Sequence, residues 1–339
     1  MDKGNLTING INVNVPKDYT VLMAAEEAGI DIPTLCYLKD INEVAACRVC
    51  IAEVDIKGVP MRNLPATCVL QVQEGMNVRT NTKRVRNAVR MNVELILANH
   101  NRECLTCLRN GTCELQKLCD ELNISDIEFQ GAKREAKIDN LSYSIVRDTS
   151  KCILCGRCVS TCREVQGIGI LDFTNRGFNT EVAPAFNYSM RDVPCVYCGQ
   201  CIQACPVAAL RERTYIDDVW DAIDNPDKFV VIQTAPGVRA SLGEEFGLPV
   251  GTDVTGKMVA ALRRLGFDKV FDTNFSADLT ILEEGTELIN RVKNGGKLPM
   301  ITSCSPGWIR FCELNYPEFL ENLSTCKSPQ QMFGAIVKS

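Results

Sequence analysis

Cys152, Cys155, Cys158 and Cys162 follow the spacing C-x2-C-x2-C-x3-C, and Cys195, Cys198, Cys201 and Cys205 repeat it. That doubled run is an iron-sulfur signature. Three thiolates two residues apart wrap three corners of one cubane, while the fourth points away and closes the other cube. The spacing therefore assigns Cys152, Cys155, Cys158 and Cys205 to one 4Fe-4S cluster and Cys195, Cys198, Cys201 and Cys162 to a second. Pro206 follows the second run, as the bacterial pattern expects, whereas Arg163 follows the first. Structural zinc calls for paired C-x2-C units without the third and fourth cysteine, and disulfides are disfavoured in a reducing compartment.

Two further sets carry ligand types. His100, Cys104, Cys107 and Cys113 read H-x3-C-x2-C-x5-C and include the single histidine of the chain. A neutral imidazole in place of a thiolate removes one negative charge from a cluster and raises its potential. A zinc site with three thiolates and one imidazole uses the same ligand types, so zinc competes with a 4Fe-4S cluster here. Cys36, Cys47, Cys50 and Cys68 read C-x10-C-x2-C-x17-C. A close C-x2-C pair with two outlying cysteines fits a 2Fe-2S cluster, although the plant-type first gap is shorter, and a zinc site around Cys47 and Cys50 is the alternative. Cys119, Cys304, Cys312 and Cys326 are left over; Cys119, Cys312 and Cys326 read as small buried hydrophobes.

The composition frames this chemistry. Nineteen cysteines in 339 residues with one histidine imply metal ligation rather than a disulfide scaffold. The content is otherwise ordinary for a globular protein, 45% hydrophobic and 23% charged, with a net charge of −5. The basic residues are scattered apart from Lys83, Arg84, Arg86 and Arg90, which read as one solvated helix face, so no nucleic-acid partner is expected. No apolar run reaches the length of a membrane span, and the start reads as a strand pair rather than a signal peptide, so a cytoplasmic location without membrane contact is expected.

The elements that must position these residues are legible in part. An Asn9-Gly10 turn joins two strand patterns, and Thr20 is an N-cap for VLMAAEEAG, whose Gly29 ends the helix, together resembling a β-grasp. TKRVRNAVRMNVELILANH has helical spacing and leaves His100 at or just past the helix end. A polar connector comes next around 130–140, then the doubled cysteine run between LSYSIVRD and GILDFTNRG, then an acidic helix at 215–223. From Lys228 onward, KFVVIQTAP, DKVFDTN and KLPMITS are strand-like runs, each followed by a helical pattern, as in an open parallel sheet. The last residues, FGAIVKS, lie inside an apolar helical pattern, from which the final domain is expected to continue. GTDVTGKM ends in Met258 where a phosphate loop needs a hydroxyl, and GIGI lacks a third glycine, so no NAD or flavin site is expected.

The order of these sets resembles the large subunit of cytoplasmic, NAD(P)-linked, multi-subunit FeFe-hydrogenases, and the first two segments are also similar to the large iron-sulfur subunit of NADH dehydrogenase. TSCSPGW at 302–308, LSTCKSPQQMFGA at 323–335 and QTAPGVR at 233–239 carry the hydrogenase resemblance. It implies an α+β multidomain fold: a β-grasp 2Fe-2S domain over 1–81, a histidine-ligated 4Fe-4S segment over 82–124, a connector over 125–145, a two-cluster ferredoxin domain over 146–211, a linker helix over 212–226, and the start of an α/β hydrogenase domain over 227–339. It also implies one 2Fe-2S and three 4Fe-4S clusters, with the hydrogen-activating H-cluster only where a complete C-terminal domain exists. Partners implied are a flavin- and NAD(P)-binding subunit, a small 2Fe-2S subunit and ferredoxin. In the family two adjacent cysteines occupy the first active-site motif; here they are Cys304 and Ser305. Cys304 would relay protons, and Ser305 would stand where a thiolate belongs. Glu284, Glu287 and Ser324 match the proton path by position, while the plain reading makes them exposed acids on a helix and a turn serine. The expected function is an oxidoreductase subunit exchanging electrons among hydrogen, ferredoxin and NAD(P). The alternative is a non-catalytic iron-sulfur wire, with a degenerate or absent H-cluster, in an electron-bifurcating transhydrogenase or related complex.

Overall fold

The computed structural model describes residues 3–339, which divide into one compact unit ending at Arg213 and a second spanning Thr214–Ser339. The first begins with β1 (Lys3–Ile8) and β2 (Ile11–Pro16), joined by Asn9 and Gly10 at φ 50° and 86°. Those left-handed angles match the strand twist of a two-residue hairpin. α1 (Val21–Glu27) starts where the Thr20 hydroxyl accepts the Met23 amide, and it turns Val21, Leu22, Ala24 and Ala25 inward. β3 (Glu53–Ile56), β4 (Val59–Pro60) and β5 (Met76–Arg79) complete a mixed sheet in the order β2-β1-β5-β3-β4, with β1 and β5 parallel. Leu6, Ile8, Val15, Leu22 and Val78 form its core, which Cys50 and Cys68 join.

α2 (Lys83–Ala98) is capped by Thr82, and its inward residues Val85, Val89, Val93 and Leu97 recur every four positions, while Lys83, Arg84, Arg86 and Arg90 face outward. The inward four enter a second core with Leu115 and Leu118 of α3 (Glu114–Glu121) and with Ile145, Val159 and Val207. Loop residues Leu35, Val49 and Ile51 belong to the same core. The polar connector is partly built into the fold: its β6 (Ile138–Asp139) pairs with β7 (Ile145–Asp148).

Each cysteine run then turns into a short helix: α4 (Arg157–Ser160) in the first, α5 (Gln200–Ala204) in the second. Between them lies the hairpin of β8 (Asp172–Thr174) and β9 (Glu181–Ala183), and β10 (Leu210–Glu212) closes the unit by pairing with β7.

The second unit opens with the acidic α6 (Ile216–Ile223). β11 (Val231–Thr234) crosses through α7 (Pro236–Glu245) and α8 (Thr255–Leu265) to the parallel β12 (Lys269–Asp272), and the forked Arg239–Asp272 pair ties α7 to the end of β12. α9 (Thr273–Asn294), α10 (Pro306–Asn315) and α11 (Pro329–Lys338) complete the unit, and the rings of Phe271 and Phe333 pack 5.3 Å apart. The expected third strand, KLPMITS, does not join this sheet. Pro299 supplies no amide for a ladder, and Ile301 bonds instead to the 322–324 segment as an isolated bridge. No helix among the described residues is long and apolar enough to cross a membrane.

Candidate metal centre

The two cysteine runs fold as copies. Leu154 and Gly156 take φ 55° and 80° in the first, and Tyr197 and Gly199 take φ 56° and 76° in the second. Left-handed backbone at a non-glycine residue carries strain, which persists where the surroundings hold it. Here it winds the loop around its own sulfurs. The Leu154 amide bonds Cys152, the Arg157 amide bonds Cys155, and the Tyr197 amide donates to Cys195 Sγ at 3.4 Å. Such donors favour the thiolate form.

Cys152, Cys155, Cys158 and Cys205 line one cavity, together with Arg147, Val182 and Val207. Three come from the first run and one from the second, as the spacing requires. Cys201 is raised first by burial and then by the nearby Cys195, Cys198, Cys162 and Cys205. Burial pushes Cys155 and Cys201 up to about 12 and holds Cys152 and Cys158 above the ordinary thiol value. Thiols so buried become thiolates when a cation compensates them, so these sites fit a positively charged iron core.

His100 lies just past the end of α2 and is buried. Its ring meets the backbone of Lys151, next to Cys152, and its Nδ1 is buried without a protein partner. Burial, then the charge of Lys151, lowers its pKa to about 4, which keeps the imidazole neutral. An orphaned nitrogen lone pair on a neutral ring suits a metal ligand. Cys104 and Cys107 bear electrostatically on Cys113, whose sulfur takes the Gln116 and Leu115 amides at the start of α3. Cys119 is half-buried against the core, with burial pushing its thiol up to about 11.

In the β-grasp segment the thiols of Cys36 and Cys47 are hydrogen-bonded, as are those of Cys50 and Cys68. These bonds lower Cys47 to about 6 and Cys50 to about 7, and they raise Cys36 and Cys68. Left-handed Ala45 and Arg48 flank Cys47, curling the loop over the site.

The second unit holds a separate constellation. Ser324 Oγ donates to Glu287 Oε2 at 2.8 Å, Arg291 Nη2 donates to Glu287 Oε1 at 2.6 Å, and Cys326 Sγ is 3.9 Å from the same carboxylate. The side chains of Glu287 and Arg291 are only 16% and 14% exposed, so Glu287 is no solvated surface acid. Cys326 is half-buried beside it and is not a core thiol, unlike the fully buried Cys312. Cys304, Ser324 and Cys326 line one open cleft, while Glu284 is half-buried one turn before Glu287 on α9. The Ser305 hydroxyl accepts the Trp308 amide as the N-cap of α10. The i,i+4 spacing of Glu287 and Arg291 was the signal for their pairing. For Asn42, a buried polar residue between two cysteine loops, the sequence offers none.

Four family matches tile the chain: a 2Fe-2S iron-sulfur cluster binding domain over 3–83, the NADH-ubiquinone oxidoreductase-G iron-sulfur binding region over 90–128, a 4Fe-4S dicluster domain over 151–209, and the iron only hydrogenase large subunit, C-terminal domain, over 228–339. The NADP-reducing hydrogenase subunit HndD of Solidesulfovibrio fructosivorans is 49% identical over 98% of this chain and 58% of its own length. Iron hydrogenase 1 of Clostridium pasteurianum is 41% identical with the same coverage, so the chain spans 58% of the length of these curated relatives. Among solved structures, an NAD+-reducing [NiFe]-hydrogenase in the H2-reduced state is similar over 62% of this chain and 88% of that one, with a TM-score of 0.58 and 25% identity. With matches to 2Fe-2S and 4Fe-4S binding domains ahead of a match to the iron only hydrogenase large subunit, C-terminal domain, the chain is similar along nearly its whole length to hydrogenases of the iron-only type.

Proposed function

We propose that this chain is the iron-sulfur electron-transfer and hydrogenase-type subunit of a cytoplasmic complex exchanging electrons among hydrogen, ferredoxin and NAD(P). The observation that carries the reading is the shared cavity of Cys152, Cys155, Cys158 and Cys205, which joins two cysteine runs at one site. Its ligand sets are Cys36, Cys47, Cys50 and Cys68 for one 2Fe-2S cluster; His100, Cys104, Cys107 and Cys113 for a 4Fe-4S cluster; and the two crossed sets of the cysteine runs for two more. When bound, such clusters store and release single electrons. The segments 1–81, 82–124 and 146–211 would house them, 125–145 and 212–226 would connect them, and 227–339 would open the hydrogenase domain. The names of the relatives, a hydrogenase that reduces NADP and one that reduces NAD+, support a flavin- and NAD(P)-binding partner with a small 2Fe-2S subunit.

The residues do the positioning and tuning. Loop amides at Leu154, Arg157, Tyr197, Leu115 and Gln116 neutralise part of the thiolate charge, and Arg147, 5% exposed with its Nε unpartnered, brings a buried cation to the wall of the first cubane cavity. Both effects favour the reduced, more negative cluster.

One observation favours the second reading, the non-catalytic wire. Ser305 stands at the family's ligand position, yet its hydroxyl is engaged as a helix cap and stays protonated at neutral pH. The residues present at this position do not fit a cubane ligand. Hydrogen added to the anaerobically purified complex separates the readings: bleaching of the cluster absorbance without any other reductant supports the first, and clusters reducible by dithionite but inert to hydrogen support the second.

A further inference from the structure

Asn42 lies in the loop between α1 and β3 and is 1% exposed. Its main chain is pinned by two bonds with Leu38, at 2.8 and 3.1 Å. The side chain leaves that loop and spans to another. Nδ2 donates to the Cys36 carbonyl at 2.6 Å and to the Cys155 carbonyl at 3.1 Å, and Oδ1 accepts from Ser160 Oγ at 2.7 Å. Two carbonyls on one side and a hydroxyl donor on the other leave one orientation of the amide that satisfies all three. The approach is close: a Cβ at Gly156, where φ is 80°, would stand 3.4 Å from Asn42 Oδ1 and 3.4 Å from the Phe173 ring.

We infer that Asn42 is a positioning residue for electron exchange between two cluster sites, a role that rests on the ligation proposed above, with Cys36 in the 2Fe-2S set and Cys155 in a 4Fe-4S set. Asn42 fixes the separation of the two ligand loops and supplies a bonded route from the Cys36 main chain, through one amide nitrogen, to the Cys155 main chain. A clamp serving stability alone is satisfied by any buried carbonyls; both of these belong to ligand residues from segments more than a hundred positions apart. The exchange moves one electron, lost at one site and gained at the other, and no proton at Asn42.

The test uses the full chain loaded with iron and sulfide, as wild type, Asn42→Ala, Asn42→Asp and Ser160→Ala. In the reduced wild type, a paramagnetic 4Fe-4S neighbour should speed the spin relaxation of the 2Fe-2S EPR signal. Asn42→Ala and the isosteric Asn42→Asp, whose carboxylate repels both carbonyls, should retain iron content but lose that fast relaxation, with slower electron equilibration after partial reduction by dithionite. Ser160→Ala removes only the bond that orients the amide and should shift both readouts the same way; it decides the matter if a substitution at 42 expels a cluster. Unchanged relaxation and equilibration in an iron-replete position-42 variant, or in iron-replete Ser160→Ala where both position-42 variants lose a cluster, overturn the inference. A wild type without iron and sulfide would instead defeat the ligation beneath it.

Discussion

An imidazole and a thiolate differ by one unit of charge, and at His100 that difference is expected to set a potential. His100→Cys should lower the potential of its cluster while the protein stays folded, as read by an EPR-monitored redox titration; an unmoved signal would argue against ligation. Glu287 offers a second test, by pH. Burial raises its carboxyl, but the bonds from Ser324, Arg291 and Thr325 outweigh this and hold it below the ordinary value of 4.5. A depressed carboxyl stabilises the fold fully above its unfolded value and loses that contribution as pH falls through the folded one. The second unit should therefore lose stability below about pH 4.5, and less steeply in Glu287→Gln. At neutral pH that substitution should cost about 1.5–3 kcal/mol, the range for a hydrogen bond to a charged group, measured by thermal unfolding. Ser324 and Glu287 could be singled out by resemblance alone, whereas their bond, and the arrival of Cys326 beside it, depend on how α9 meets the 322–326 segment.

At the scale of elements, the caps carry predictions of their own. Thr82→Ala removes the hydroxyl that accepts the Val85 amide and should cost about 1 kcal/mol, seen as a lowered unfolding midpoint. Elements with a local cause were legible: the Asn9-Gly10 hairpin, the Thr20 cap, the helical recurrence that runs from Val85 to Leu97, and the strand-like runs that hold 231–234 and 269–272. What was not legible depends on distant partners. KLPMITS has a strand's composition, but Pro299 and the bonds to Asn322 and Ser324 take it out of the sheet. The 130–140 stretch is polar, yet β7 pairs with its end. Cysteine spacing pointed to Cys205 as the partner of the first run, and the two meet in one cavity, while Asn42 could be recognised only once two loops had been brought together.

At the scale of the whole molecule, the proposal places separate iron sites in one polypeptide. Cys205→Ala should remove about four irons per chain, the content of one 4Fe-4S cluster, and leave the other cubane in place. Loss of both would mean that the two runs share a single site. Iron and acid-labile sulfide analysis of the anaerobically purified chain, with EPR after dithionite reduction, tests the central claim most directly. One 2Fe-2S and three 4Fe-4S clusters predict about 14 irons and 14 sulfides per chain. A colourless protein holding zinc and no inorganic sulfide would contradict it.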